Sequence, residues 1–415
     1  MSNLKPLVLA AAAALTVTAH AGDKEVLDLL VKKGVITAEE RAKAIQESKT
    51  KDNASNLNEV FAAQDAVKRL AISGRVQVQY EGASVEQNAS GTITNSVSTS
   101  DFILRRMYLG AKADVGDGFS GELVWNFADG SSGGEFDKAV FTAETKFGKW
   151  DIGYQKVQWG QEENTSSGRL PVVERSLATR YWAESNNGRR LGFGARHTGI
   201  HYSNRAIFGG HGEADVRYGL SVVRADHNAN FSSNIAGAND LGLYGFASVE
   251  WKPLALTLGV NVAENTHSGA TTDATTLDDD SIKGYNPYLR WVSGDFTILA
   301  EYIDTDVQTG ATKRNPTAYN VTGIYKVVDN IDLVARYSAI DTDGRNIRVS
   351  DGLRNINGPS TSFREADSIY LGVNYYFNGD NAKVQAGYEM ASMETLNGAT
   401  KADADVFRVQ LQILF

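Results

Sequence analysis

The chain has 415 residues, no cysteine, 40 glycines, 6 prolines and a formal net charge of −9. Without cysteine it has no disulfide, no thiolate metal site and no thiol nucleophile, and its acidic balance argues against a nucleic-acid partner. No stretch after residue 21 is long and apolar enough for a transmembrane helix, so if this chain spans a membrane it does so as a closed barrel, whose strands satisfy one another's backbone groups.

Residues 1–21 read as a secretory signal peptide. Lys5 supplies the positive charge, Leu7 to Val17 the apolar run, and Ala19-His20-Ala21 the small-x-small cleavage site. Residues 22–70 are expected to form a short helical periplasmic extension. Val26, Leu27, Leu29, Leu30 and Val31 make a helical stripe that Gly34 stops, and Thr37 with Glu40 has capping-box spacing. The segment is too small to hold a core of its own.

From Ile72 the apolar period changes to two, which puts alternate side chains on opposite faces of a strand. Residues 71–415 are therefore expected to be all-β, a 16-stranded antiparallel transmembrane barrel. The strands fall near 72–80, 102–115, 118–127, 138–147, 149–157, 190–203, 214–224, 241–251, 254–263, 284–292, 295–304, 318–328, 331–340, 366–377, 381–391 and 403–415. Their connections alternate in length. Gly116-Asp117, Gly148, Lys252-Pro253, Ser293-Gly294, Asp329-Asn330 and Asn378-Gly379-Asp380 are tight turns. The others, 81–101, 128–137, 158–189, 225–240, 264–283, 305–317, 341–365 and 392–402, are long and polar. Only 204–213 breaks the rule, being long where a tight turn is due. Tight turns at one end and long loops at the other suit an outer-membrane barrel. Aromatics such as Trp125, Trp150, Trp251, Trp291 and Tyr375 sit on the apolar parity near strand ends, as interfacial girdles do.

The longest connection, 158–189, is the third outer loop. A loop of this length in a barrel is functional more often than not, and inward folding would make it the constriction. It supplies Glu162, Glu163, Arg169, Glu174, Arg175 and Arg180. The lumen parity of the strands adds Arg75, Arg106, Lys112, Lys146, Arg196, Arg217, Arg290, Arg336, Lys383 and Arg408, against fewer acids. A positive field in a pore admits anions more readily than cations. Strict alternation puts Arg106 inside and leaves Arg105 to snorkel at the outer interface. His197 and His201 lack a third metal ligand, and no metal or other cofactor is expected. Asp278-Asp279-Asp280 reads as a solvated loop. The final stretch from Phe407 to Phe415 alternates apolar Phe407, Val409, Leu411, Ile413 and Phe415 with polar Arg408, Gln410 and Gln412. It matches the lipid and lumen faces of a closing strand.

Three segments resemble the phosphate-selective porin O and P family. They are Leu-Leu-Val-Lys-Lys-Gly-Val-Ile-Thr at 29–37, Phe-Ile-Leu-Arg-Arg-Met-Tyr-Leu-Gly-Ala-Lys at 102–112 with Gly121-Glu122-Leu123, and Arg-Arg-Leu-Gly at 189–192. The resemblance implies a homotrimeric sixteen-stranded channel that passes phosphate or other small anions; the signal, the absence of cysteine and the terminal aromatic strand together point to export in a Gram-negative bacterium, with outer-membrane lipid and lipopolysaccharide as expected partners. It also implies that Arg105 and Arg106 correspond to the family's paired arginines. The alternatives are a general or weakly cation-selective porin and an adhesive or structural barrel. An enzyme is not expected.

Overall fold

The computed structural model describes residues 67–128, 135–186, 190–225, 241–267, 280–309 and 311–415. The signal peptide, almost all of the expected helical extension, Arg189 and the Asp278-Asp279 pair lie outside these residues. The chain divides into a unit Met1–Arg69 and a unit Leu70–Phe415. The second unit is built of strands.

Nineteen strands are described, of which Ser185–Asn186, Arg190–Leu191 and Thr312–Arg314 are short pieces, leaving sixteen that build the wall. They are β1 (Arg69–Ala89), β2 (Thr92–Gly116), β3 (Phe119–Asn126), β4 (Glu135–Thr145), β5 (Gly148–Lys156), β6 (Arg196–Phe208), β7 (Ala214–Arg224) and β8 (Leu241–Trp251). The rest are β9 (Leu256–His267), β10 (Asp280–Ser293), β11 (Phe296–Thr309), β12 (Thr317–Val328), β13 (Ile331–Asp341), β14 (Glu365–Asn378), β15 (Ala382–Glu394) and β16 (Thr400–Leu414). Each pairs antiparallel with its chain neighbour, and β16 returns to β1 from Arg75↔Leu414 to Ala89↔Thr400. The cylinder is closed, so no strand edge meets lipid.

Two expected boundaries are corrected. The loop at 81–101 is not a loop: β1 and β2 continue through it to a two-residue turn at Ser90-Gly91, both with positive φ, the backbone that matches strand twist in a hairpin. The sixth strand is not 190–203 but Arg196–Phe208, because Gly192 turns the chain at φ 64° and leaves Arg190–Leu191 paired with Ser185–Asn186 inside the third loop. The anomalous connection at 204–213 shrinks accordingly to 209–213.

The face pattern inverts along the strands. Near the tight turns the outward face is apolar, as with Leu411 and Ile413 of β16, while Arg408, Gln410 and Gln412 are buried on the lumen side. Toward the long loops the same strand turns Lys401, Asp403 and Asp405 outward and buries Ala402, Ala404 and Val406. β11, β14 and β15 repeat this: Ile303 and Val307, Ala366, and Ala391 and Met393 are buried inside the outer rim. Lipid dictates the first half of each strand, and an apolar core inside the barrel mouth dictates the second.

Candidate pore constriction

The core filling the outer half of the bore comes from two loops. The third loop carries helices α1 (Gln161–Asn164) and α2 (Leu177–Ala183). The seventh, between β13 and β14, carries α3 (Val349–Gly352) and an isolated bridge Ile347↔Phe363. Every residue of α2 is buried. Ser176 caps it by accepting a hydrogen bond from the Thr179 amide at 3.1 Å. Leu177 and Trp182 join Ile347, Val349, Leu353 and Phe363 in one apolar cluster. Trp182 Nε1 donates to Thr305 Oγ1 of β11 at 3.0 Å. The inward fold of the seventh loop was not expected. Its signal was the run of Ile347, Val349, Leu353, Ile356 and Phe363 in a connection that solvent would leave polar.

Buried ion pairs seat the third loop. Arg336 of β13 donates to Glu162 at 3.0 Å, to Glu389 of β15 at 2.9 Å and to the Glu174 carbonyl at 2.8 Å. Arg408 of β16 donates to Glu81 of β1 at 2.6 Å and to Glu389 at 3.2 Å. Glu301 of β11 accepts the Gln161 and Glu162 amides opening α1, at 2.7 and 3.3 Å. Glu162 also accepts from Ser176 Oγ at 2.7 Å and Thr179 Oγ1 at 2.6 Å. Glu163 pairs with Arg175 at 3.0 Å and with Lys156. Burial would raise the Glu163 carboxyl, but the Arg175 and Lys156 cations outweigh it and hold it at about 2. Arg175 reaches back to the Thr165 carbonyl at 2.8 Å. Arg180 pairs with Glu184 at 3.1 Å.

Glu174 gathers a cluster of arginines. Arg105 forms a bidentate pair with it, and Arg106 and Arg354 approach at 3.9 and 3.7 Å. Burial opposes ionisation of Glu174, yet Arg105 and Arg106 drive its carboxyl well below the usual range. The expectation that Arg105 points outward is therefore corrected. Phe102 and Leu104 are exposed on even positions and Leu109 on an odd one, while Arg105 bonds Glu174 and Arg106 bonds Gln77 at 2.8 Å. The alternation slips by one residue between the two arginines and brings both inside, as a bulge does.

Below this cluster the loop descends along the wall on its carbonyls. Gly168 O accepts from Gln412 at 2.9 Å, Leu170 O from Lys383 and Gln385 at 3.1 Å each, and Pro171 O from Asn374 at 2.8 Å. Ser167 O accepts from Gln77 at 3.3 Å, and Arg75 reaches Ser166 and Ser167. Buried carbonyls need partners, and the polar lumen faces of β1, β14, β15 and β16 supply them.

The remaining expected residues face the open side. Arg196 pairs with Asp137. Arg217 is exposed and shares Asp215, at 3.2 Å, with Arg205 at 2.7 Å. Lys112, Arg169 and Arg290 are exposed and make no ion pair among the described residues. The cross-strand neighbour of Lys112, Glu122, pairs with Lys138 instead at 2.8 Å. Glu144 and Glu250, near the tight turns, are acids on the lumen parity that make no ion pair among the described residues. His197 and His201 bond the Arg224 carbonyl and Ser221 Oγ at 2.9 and 3.0 Å. Among the described residues no group of three or more His, Cys, Asp or Glu is placed to hold a metal ion.

The family model described as phosphate-selective porin O and P matches residues 71–415. None of the curated proteins matches the chain. Solved structures with this architecture include an anion-selective porin from Comamonas acidovorans, 14% identical, covering 84% of this chain and 99% of its own at a TM-score of 0.58. OmpT, an outer membrane protein of Vibrio cholerae, is 16% identical with the same coverages and a TM-score of 0.54. The outer membrane channel DcaP of Acinetobacter baumannii is 14% identical, covering 83% of this chain and 97% of its own at 0.54. At these identities the likeness is one of fold.

Proposed function

Because the chain belongs to the phosphate-selective porin O and P family, we propose that its outer-membrane channel passes small hydrophilic anions, phosphate among them, by diffusion down their gradient. The channel itself follows from the family and the closed sixteen-strand wall; it is a conduit rather than a catalyst. One observation carries the anion reading. The acids of the third loop, Glu162, Glu163, Glu174 and Glu184, are spent in ion pairs with arginines and a lysine, whereas Lys112, Arg169 and Arg290 face water without such partners among the described residues. Unpaired cations along an aqueous path lower the energy of an entering anion and raise that of a cation. The paired Arg105, Arg106, Arg175, Arg180 and Arg336 act as the frame that narrows the path, with Arg196 and Arg217 on its far wall.

Reversal potential in a planar bilayer under a salt gradient tests this. We expect an anion-signed potential that moves toward zero in the triple variant Lys112→Gln, Arg169→Gln, Arg290→Gln. A cation-signed or null potential in the wild-type channel, as Glu144 and Glu250 favour, overturns the anion reading. Export by a signal peptide cleaved after Ala21, assembly as a homotrimer and contact with lipopolysaccharide complete the proposal, on the strength of the family resemblance and the leader.

A further inference from the structure

Beneath the third loop, toward the tight-turn end, lies a cavity of about 440 Å³ between residues 161–171 and the wall of β10 to β14. Two features of its lining bear on what it could hold. Two acids on its lining are ion-paired, Glu162 with Arg336 and Asp380 with Lys383 at 3.0 Å, and two are hydrogen-bonded, Glu301 by the α1 amides and Asp332 by the Tyr376 hydroxyl at 2.9 Å. Its two arginines, Arg169 and Arg290, are exposed and have no such partner among the described residues. The second feature is apolar. Leu299 and Ile324 sit on the lumen parity of β11 and β12, beside Glu301 and Thr322, with Ile324 packed against the cluster of Leu170, Val172, Val334 and Tyr370. Leu299 is the cross-strand neighbour of Arg290, and Ile324 that of Thr297. Pro171 of the loop lines the same cavity.

An inorganic phosphate would use the arginines and waste both the volume and the apolar wall. A cavity that sets cations beside aliphatic groups, Arg290 next to Leu299 on the wall and Arg169 near Pro171 on the loop, suits a ligand that carries both kinds of group. We propose that it is a weak binding stop for an organic anion, a carboxylate borne on an apolar body, with the carboxylate on Arg169 and Arg290 and the body against Leu299, Ile324 and Pro171. Guanidinium–carboxylate geometry supplies orientation, and the modest apolar contact keeps the site weak enough for release. This rests on the anion reading above and narrows its substrate class.

The experiment is block of single-channel chloride current in the full-length folded protein by benzoate, acetate or inorganic phosphate. Benzoate is expected to block at roughly tenfold lower concentration than either of the others. Ile324→Ala should weaken block by benzoate and leave acetate unchanged, and Arg169→Gln with Arg290→Gln should weaken both. Benzoate no better than acetate, or benzoate block untouched by Ile324→Ala, overturns the proposal. A wild-type channel that prefers cations overturns the anion reading and this one with it. A channel that prefers anions but treats benzoate as it treats acetate overturns this one alone.

Discussion

Arg336 has no solvent-exposed side-chain surface, and two carboxylates from different elements depend on it. Removing such a cation leaves Glu162 without its counter-charge and Glu389 with Arg408 alone. The cost of breaking a buried pair from one side is about 3–5 kcal/mol. Arg336→Met should therefore lower the free energy of denaturant unfolding by that order, with a lower midpoint, and make single-channel current noisier as the third loop loosens. An unchanged midpoint with quiet current would mean that the pair contributes nothing to the seat. Glu163 gives the loop an acid sensitivity. Its carboxyl titrates at about 2 in the folded chain, below the value of about 4.3 for a free glutamate. A depressed folded value stabilises above the unfolded one, and that stabilisation is lost as pH falls from about 4.3 through about 2. Acidification across this window should destabilise the loop, and Glu163→Gln should remove that part of the pH dependence in a thermal melt. If the variant's acid slope equals the wild type's, Glu163 is not the source.

Among the elements, β16 states the design of the wall most plainly. Leu411 faces outward in its apolar half and Asp405 faces outward in its charged half. An arginine at a lipid-facing position costs about 2–4 kcal/mol at the bilayer midplane and about 0–1 near the interface. Leu411→Arg should therefore depress stability in vesicles far more than Asp405→Arg, and equal costs would place the membrane elsewhere on the strand. The strands were legible because lipid and water impose opposite demands on adjacent residues, so Leu256, Leu258 and Val260 or Ile369, Leu371 and Val373 announce themselves. The inverted outer halves were not. With Lys401, Asp403 and Asp405 outward and small Ala402 and Ala404 inward, the period remains but its polarity reads as loop. For the same reason the Ser- and Thr-rich 81–101 looked like a loop rather than a hairpin.

At the scale of the whole molecule, the loop order identified the third loop as the long one, and its charges were the right ones to notice. Their pairing was not readable, because partners such as Glu162 and Arg336 are 174 residues apart and meet only after the cylinder closes. The parity slip that turns Arg105 inward is a local event that strict alternation cannot show. The seam of the barrel ties these scales together. The closing pair, β1 with β16, also supplies Gln77, Gln412 and Arg75 to residues 166–168 of the third loop. Arg408 and Glu81 from the same two strands meet across it. Before the first and last strands are neighbours, the loop has no complete floor to rest on. Completing the wall therefore also completes the seat of the aperture. A barrel with its seam unzipped would lack part of the frame that narrows its bore.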